Sequence, residues 1–333
     1  MGLQDFWYLL IAVLWIGYFF LEGFDFGVGM LTKFLARDEV NRRVLINTIG
    51  PVWDGNEVWV VTAIGATFAA FPHWYATMLS GFYVPFLLVL LALIVRNVAF
   101  EYRGKSEARH RSAWDWCIFV GSLLPPLLWG LVFGCMWSGT KIGADKNFHG
   151  RMSDFLTTAD GIIGALALLV LFLAHGAVFT GLKTHGPIQV GAHRIAVPAA
   201  LVSVLLVAAW LFRVNHRFGG AASWTVGAVS VLALLACVAL ITMRRDGWAF
   251  VLSGVAVVAL WASLFIAVFP KVMPSTVNPA YSLTVHNASS SHYTLVVMTV
   301  VACIFTPIVL LYQSWTYWVF RKRIGVRNIP AAQ

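Results

Sequence analysis

Glu22 and Asp25 stand three residues apart inside the apolar run Leu-Glu-Gly-Phe-Asp-Phe-Gly-Val-Gly-Met, and that spacing puts both carboxyls on one face of a helix. A second acidic pair, Asp54 and Glu57, falls in Trp53-Asp54-Gly55-Asn56-Glu57 at the head of the next apolar run, again with helical spacing. Ionisable groups are costly within hydrocarbon and are functional candidates wherever they occur there. Desolvation disfavours the charged form of an acid at such depth, so a series of them can hand protons along. A structural role competes with this reading. Asp54 and Glu57 sit where a helix dipole stabilises any acid, and Arg96 is placed to pair with one of the four. Intramembrane acids mark proton routes and ion-pair clusters alike.

Other chemistry finds less support. Of nine histidines only His175 lies well inside an apolar run, which makes it the one suspect for a haem ligand and more simply a hydrogen-bonded packing residue. The remaining eight fall in loops or at helix ends, so no paired-histidine haem site is expected. Cys117, Cys135, Cys237 and Cys303 each stand alone among apolar neighbours, with no CxxC spacing, which argues against a disulfide framework or a metal site. The glycines Gly23, Gly27 and Gly29 suit close helix packing better than a cofactor loop.

The elements that must position these groups are membrane helices. The 333 residues are 60% hydrophobic and 11% charged, against roughly a quarter charged in soluble domains. Apolar runs fall near 6–32, 52–71, 76–95, 114–137, 159–182, 195–212, 223–243, 248–269 and 294–320. Each is close to the roughly 20 residues that span a bilayer, and in lipid only helices satisfy every backbone group within a single segment. The sequence therefore predicts an all-α integral membrane protein of about nine transmembrane helices, a single polytopic domain over 1–333. The first run has no basic segment before it and reads as a retained helix, not a signal peptide.

Orientation follows from charge. The net charge of +9 reflects basic loops facing the cytoplasm, not a nucleic-acid partner. Seventeen of the 23 Lys and Arg lie after the odd-numbered runs or in the C-terminal tail, which places the N-terminus outside and the C-terminus in the cytoplasm. The four acids then enter from the cytoplasmic side, Asp25 roughly 27 Å along a straight helix from Trp7. Trp7, Trp74, Trp137 and Trp224 near one surface, with Trp53, Trp114, Trp248 and Trp318 near the other, suit interfacial belts.

Long ordered segments also carry a resemblance. Gly23-Phe24-Asp25-Phe26-Gly27-Val28-Gly29-Met30-Leu31 and Trp53-Asp54-Gly55-Asn56-Glu57-Val58-Trp59 resemble the signatures of subunit II of the cytochrome bd quinol oxidases. So do Ser80-Gly81-Phe82-Tyr83, Trp114-Asp115-Trp116, Gly121-Ser122, Pro125-Pro126 and Phe269-Pro270-Lys271-Val272-Met273-Pro274-Ser275. The likeness is dense over the first 135 residues and thinner from about 138 to 245. Where the family often has a second Asp in its first helix, this chain has Glu22.

The resemblance implies a multi-pass subunit of a respiratory quinol:oxygen oxidoreductase in the bacterial cytoplasmic membrane. Its partner would be a haem-bearing subunit I holding haem b and haem d and oxidising quinol, with small single-helix accessory subunits, lipid and quinone as further associates. This chain would bind no haem or metal and would help lead cytoplasmic protons to the oxygen site. Asp25, Asp54, Trp53 and Asn56 are the route positions that the resemblance carries over; Glu22, Glu57 and Arg96 join them by spacing and depth. A proton-coupled secondary transporter is the rival from another class, but it should repeat its acids in both halves, and helices six to nine offer no counterpart. A scaffold whose acids are purely structural is the third reading.

Overall fold

The computed structural model describes residues 2–151, 154 and 158–329. Eleven α-helices run through them: α1 (Leu3–Phe34), α2 (Glu39–Ile49), α3 (Trp53–Ala70), α4 (Pro72–Gly81), α5 (Tyr83–Arg103), α6 (Ala108–Ser138), α7 (Ala159–Lys183), α8 (Pro187–Phe218), α9 (Ala221–Thr242), α10 (Asp246–Val268) and α11 (His292–Val319). Eight of them, α1, α5 to α7 and α8 to α11, are long and apolar enough to cross a membrane. The 18-residue α3 falls outside that set because Asp54, Asn56 and Glu57 crowd its first turns.

α1 is the axis of the molecule. Every residue from Leu21 to Thr32 is buried, because α3, α6, α7, α10 and α2 all pack around it. Such close approach needs small residues: a Cβ on Gly27 would lie 2.1 Å from the Phe172 carbonyl oxygen, and Gly176 faces it from α7. α7, α8, α9 and α10 close into a second group of four. The first group, α1, α3, α5 and α6, stays open on one side. The α3 and α5 backbones stand apart, joined by side chains at one end only, and a groove of about 620 Å³ runs between them. α11 lies at the periphery against α1 and α3, with Leu295 its one buried residue.

Three features depart from the sequence expectations. The run at 76–95 is two helices, broken at Phe82, and the second continues to Arg103, so Arg96 lies inside a helix and not beyond its end. Arg103 is carried into that helix by ion pairs to Glu39 and Asp115. The segment after α1, read as a loop, folds as the amphipathic α2, N-capped by Asp38 through the Asn41 amide and burying Val44, Leu45, Thr48 and Ile49. Trp7, Trp74 and Trp137 are not belt residues: all three are buried in the protein. The Trp7 indole donates to Leu295 and Thr299 on α11, and Trp137 packs against Trp261 and Phe265. Trp224, Trp248 and Trp318 are exposed, as an interfacial position requires.

At the end away from α2, β1 (Lys271–Met273) and β2 (Leu283–Thr284) form a small antiparallel cap, which pairs with Thr140 through Pro274 and Thr276. The segment Phe269–Ser275 belongs to this cap.

Candidate functional site

Three helices bring their polar groups to one buried point beside the groove. α1 supplies Glu22 and Asp25, α3 supplies Asn56 and Glu57, and α5 supplies Arg96 and Asn97. On α1 the three-residue spacing of Glu22 and Asp25 does what the sequence predicts, turning both carboxyls toward the neighbouring helices. Glu22, Asp25, Asn56 and Arg96 are fully buried. Arg96 Nη1 contacts Glu22 Oε2 at 3.1 Å and Glu57 Oε1 at 2.9 Å. Asn97 Nδ2 donates to Glu57 Oε2 at 2.5 Å. The guanidinium also lies against the rings of Phe26 and Phe100, 4.8 and 5.1 Å from their centroids.

Asp25 stands apart from the arginine and takes its hydrogen bond from α3: Asn56 Nδ2 donates to Asp25 Oδ2 at 2.6 Å. Asn56 Oδ1 in turn accepts from Tyr317 O–H at 2.8 Å and from Gln313 Nε2 at 3.2 Å, both on α11. Among the described residues, Asp25 Oδ1, Asn97 Oδ1, and Arg96 Nε and Nη2 are buried with no hydrogen-bond partner. One guanidinium thus holds two carboxyl groups, with a third beside them on Asn56, and donors and acceptors to spare. That arrangement suits groups which exchange protons better than a saturated ion pair.

Not every expected residue joins this cluster. Asp54 is exposed, at the polar end of the α3–α5 groove that Glu57 and Asn97 also line. The Trp53 ring packs on Phe100, 5.4 Å between centroids. Glu57, its side chain 13% exposed, is the member of the buried set that reaches the groove. His175 is fully buried, with Nδ1 at 2.8 Å from Ser253 Oγ and Nε2 at 3.2 Å from the Phe20 carbonyl oxygen, and its ring stacks on Phe250. With both nitrogens engaged, the residue does not fit an axial haem ligand. Among the described residues no group of three His, Cys, Asp or Glu is arranged to hold a metal.

Sequence reasoning missed Asn97, Gln313 and Tyr317, which are polar residues on helices otherwise read as apolar. It also missed a second network on the outer face of α2. There Arg103 binds Glu39 at 2.7 Å and Asp115 at 2.6 Å, and Arg42 reaches Asp115 at 3.1 Å. Glu39 is held below the usual carboxylate range: partial burial opposes this, but the Arg103 hydrogen bonds and the charges of Arg103, Arg111 and Arg42 outweigh it. Asp38 is lowered as well, chiefly by the Asn41 amide that it caps. A third network starts at Asp246, the first residue of α10, which holds His193, Gln189 and Arg323.

Comparison with known proteins decides the family. The family model for cytochrome bd terminal oxidase subunit II matches residues 3–320. The chain belongs to that family. It is 45% identical over 330 residues to the cytochrome bd ubiquinol oxidase subunit 2 of Bacillus subtilis, covering 97% of each chain. It is 36% identical over 373 aligned positions to the cytochrome bd-I ubiquinol oxidase subunit 2 of Escherichia coli K12, covering 98% of this chain and 96% of the other. Its fold also matches a chain from the structure of the bd oxidase of Geobacillus thermodenitrificans, with a TM-score of 0.76, 18% identity and 97% of this chain covered. As a subunit II family member it is a multi-pass protein of the bacterial inner membrane and part of an oxygen-reducing quinol oxidase complex.

Proposed function

We propose that this chain is the haem-free subunit of its oxidase, supporting a haem-bearing subunit I and passing cytoplasmic protons toward the oxygen-reducing site. The observation that carries the reading is the buried cluster itself: Glu22 and Glu57 share the cation Arg96, with Asp25 held beside them by Asn56, next to a groove whose polar mouth is Asp54. Reducing oxygen consumes protons, and a site within the membrane needs a polar path to receive them. Asp54 at the surface, Glu57 at the groove wall and Glu22 with Asp25 behind it form an ordered inward series. Trp53 and Asn56 act here as neighbours that shape the series, one by packing and one by hydrogen bonding. The engaged nitrogens of His175 support the haem-free reading, which leaves haem b, haem d and quinol oxidation to the partner.

A purely structural cluster is favoured by one specific observation, the double ion pair of Arg96. The test separates the two. In the assembled complex, Asp25→Asn and Asp54→Asn keep side-chain shape but cannot titrate. Quinol-driven oxygen consumption per haem should fall at least tenfold with haem content unchanged. If yield falls while turnover per haem is normal, the acids are structural.

A further inference from the structure

α11 is the least embedded of the long helices, yet two of its side chains end at the acid cluster. The hydrogen bonds that lead there have a fixed direction. An indole N–H can only donate. Trp59 Nε1 donates to Gln313 Oε1 at 2.8 Å, so the Gln313 carboxamide must turn its Nε2 toward Asn56 Oδ1, 3.2 Å away. Tyr317 O–H supplies a second donor to the same oxygen at 2.8 Å. An oxygen receiving two donors fixes the Asn56 carboxamide, and its Nδ2 is thereby aimed at Asp25 Oδ2. The orientation of each amide thus follows from a group whose polarity is not negotiable.

From this we infer that Gln313 and Tyr317 are positioning residues for Asp25, acting through the Asn56 carboxamide; the inference rests on reading Asp25 as a proton carrier. Because Oδ2 is held as an acceptor, a proton on Asp25 resides on Oδ1, the oxygen that is buried and has no hydrogen-bond partner among the described residues. The clamp on α11 therefore selects which oxygen of Asp25 loads and releases the proton. α11 does more than cover α1 and α3.

The substitutions that test this alter the clamp without removing bulk. Tyr317→Phe deletes one donor and keeps the ring. Gln313→Glu keeps an acceptor for Trp59 but sets a carboxylate oxygen against Asn56 Oδ1, which drives the amide to turn its oxygen toward Asp25. Gln313→Met removes both polar ends. In the purified oxidase complex, the infrared carboxyl C=O band that disappears in Asp25→Asn should be displaced in Tyr317→Phe/Gln313→Glu, with haem content unchanged. Turnover per haem should fall about fivefold or more, the equilibrium weight of one net hydrogen bond, at unchanged quinol KM. Gln313→Glu should be slower than Gln313→Met. An unmoved band in the double variant overturns the positioning role, whatever turnover does. A displaced band with normal turnover upholds it and removes Asp25 from the proton route instead.

Discussion

Arg96 is the residue on which the buried cluster depends, and its worth can be reasoned from what surrounds it. Glu22 and Glu57 are held by the same nitrogen, in a setting with no exposed surface on the arginine side. Removing one partner of a buried pair leaves uncompensated charge and costs on the order of 3–5 kcal/mol, whereas removing all partners together can be nearly neutral. Arg96→Met alone should therefore reduce the haem-quantified yield of assembled complex severely, and Arg96→Met with Glu22→Gln and Glu57→Gln should restore much of it. Yield equal to wild type in the single variant would show that the acids do not need the cation. Much of this site was legible in the sequence, because an acid or arginine inside an apolar run stands out against its neighbours. Glu22, Asp25, Glu57, Asn56 and Arg96 do meet. Gln313 and Tyr317 were not legible: a half-buried Gln or Tyr near the end of an apolar helix looks like ordinary interfacial polarity until its partner on another helix is known. Asp54, singled out beside Asp25, lies at the groove mouth and outside the cluster.

Among the elements, α2 shows how a helix can be invisible to hydropathy and still organise a surface. Its 11 residues carry too few apolar groups for a span, but its Asp38 cap and buried stripe fold it against the bundle. Glu39, with the neighbouring Asp115, locks it to α5 and α6 through Arg103, Arg42 and Arg111. Glu39 and Asp38 both sit below their ordinary range in the folded protein. A depressed acid contributes stability that is full above its unfolded value and lost as pH falls through the folded one. Protection of the α2 amides in hydrogen exchange, corrected for intrinsic rates, should accordingly hold near neutrality and decline below about pH 4, the unfolded range of these carboxyls. Glu39→Gln should show the same loosening at neutral pH, and protection flat down to about pH 3 in the native protein would refute the latch. The long helices were easier to read, since eight of them announce themselves by apolar length alone. The break at Phe82 was harder, because its signals, Ser80-Gly81 before it and Pro85 after it, are residue types that membrane helices also tolerate inside an unbroken run.

At the scale of the whole molecule, the two ends of the bundle differ in charge. Arg42, Arg103, Arg111, Lys183 and Arg323 gather at the end that bears α2 and the C-terminal segment, where Lys183 binds the Phe320 carbonyl. Arg103 ends α5 there, and α6 then runs to the opposite end, beyond which Arg151 lies. Basic residues are retained in the cytoplasm, so reporter fusions after Arg103 should read cytoplasmic and those after Arg151 external. The reverse would put Asp54 at the wrong surface for protons drawn from the cytoplasm. A second property of the whole chain concerns what it holds alone. A haem needs an axial side chain with a free nitrogen or sulfur aimed into a cavity of porphyrin size. His175, fully buried in α7, spends both nitrogens on Ser253 and Phe20, and the buried His193 of α8 is held by Asp246. The groove beside the cluster, between α3 and α5, is lined by Val, Leu, Ile and aromatic residues with acids at its mouth, and among the described residues no histidine or methionine lines it. Expressed without its partner and purified in mild detergent, the chain should therefore show no haem absorption band, while co-expression with subunit I should yield the haems in the complex. A stoichiometric haem spectrum from the chain alone would make His175 the first residue to replace, and loss of that spectrum in His175→Ala would move part of the redox chemistry into this subunit.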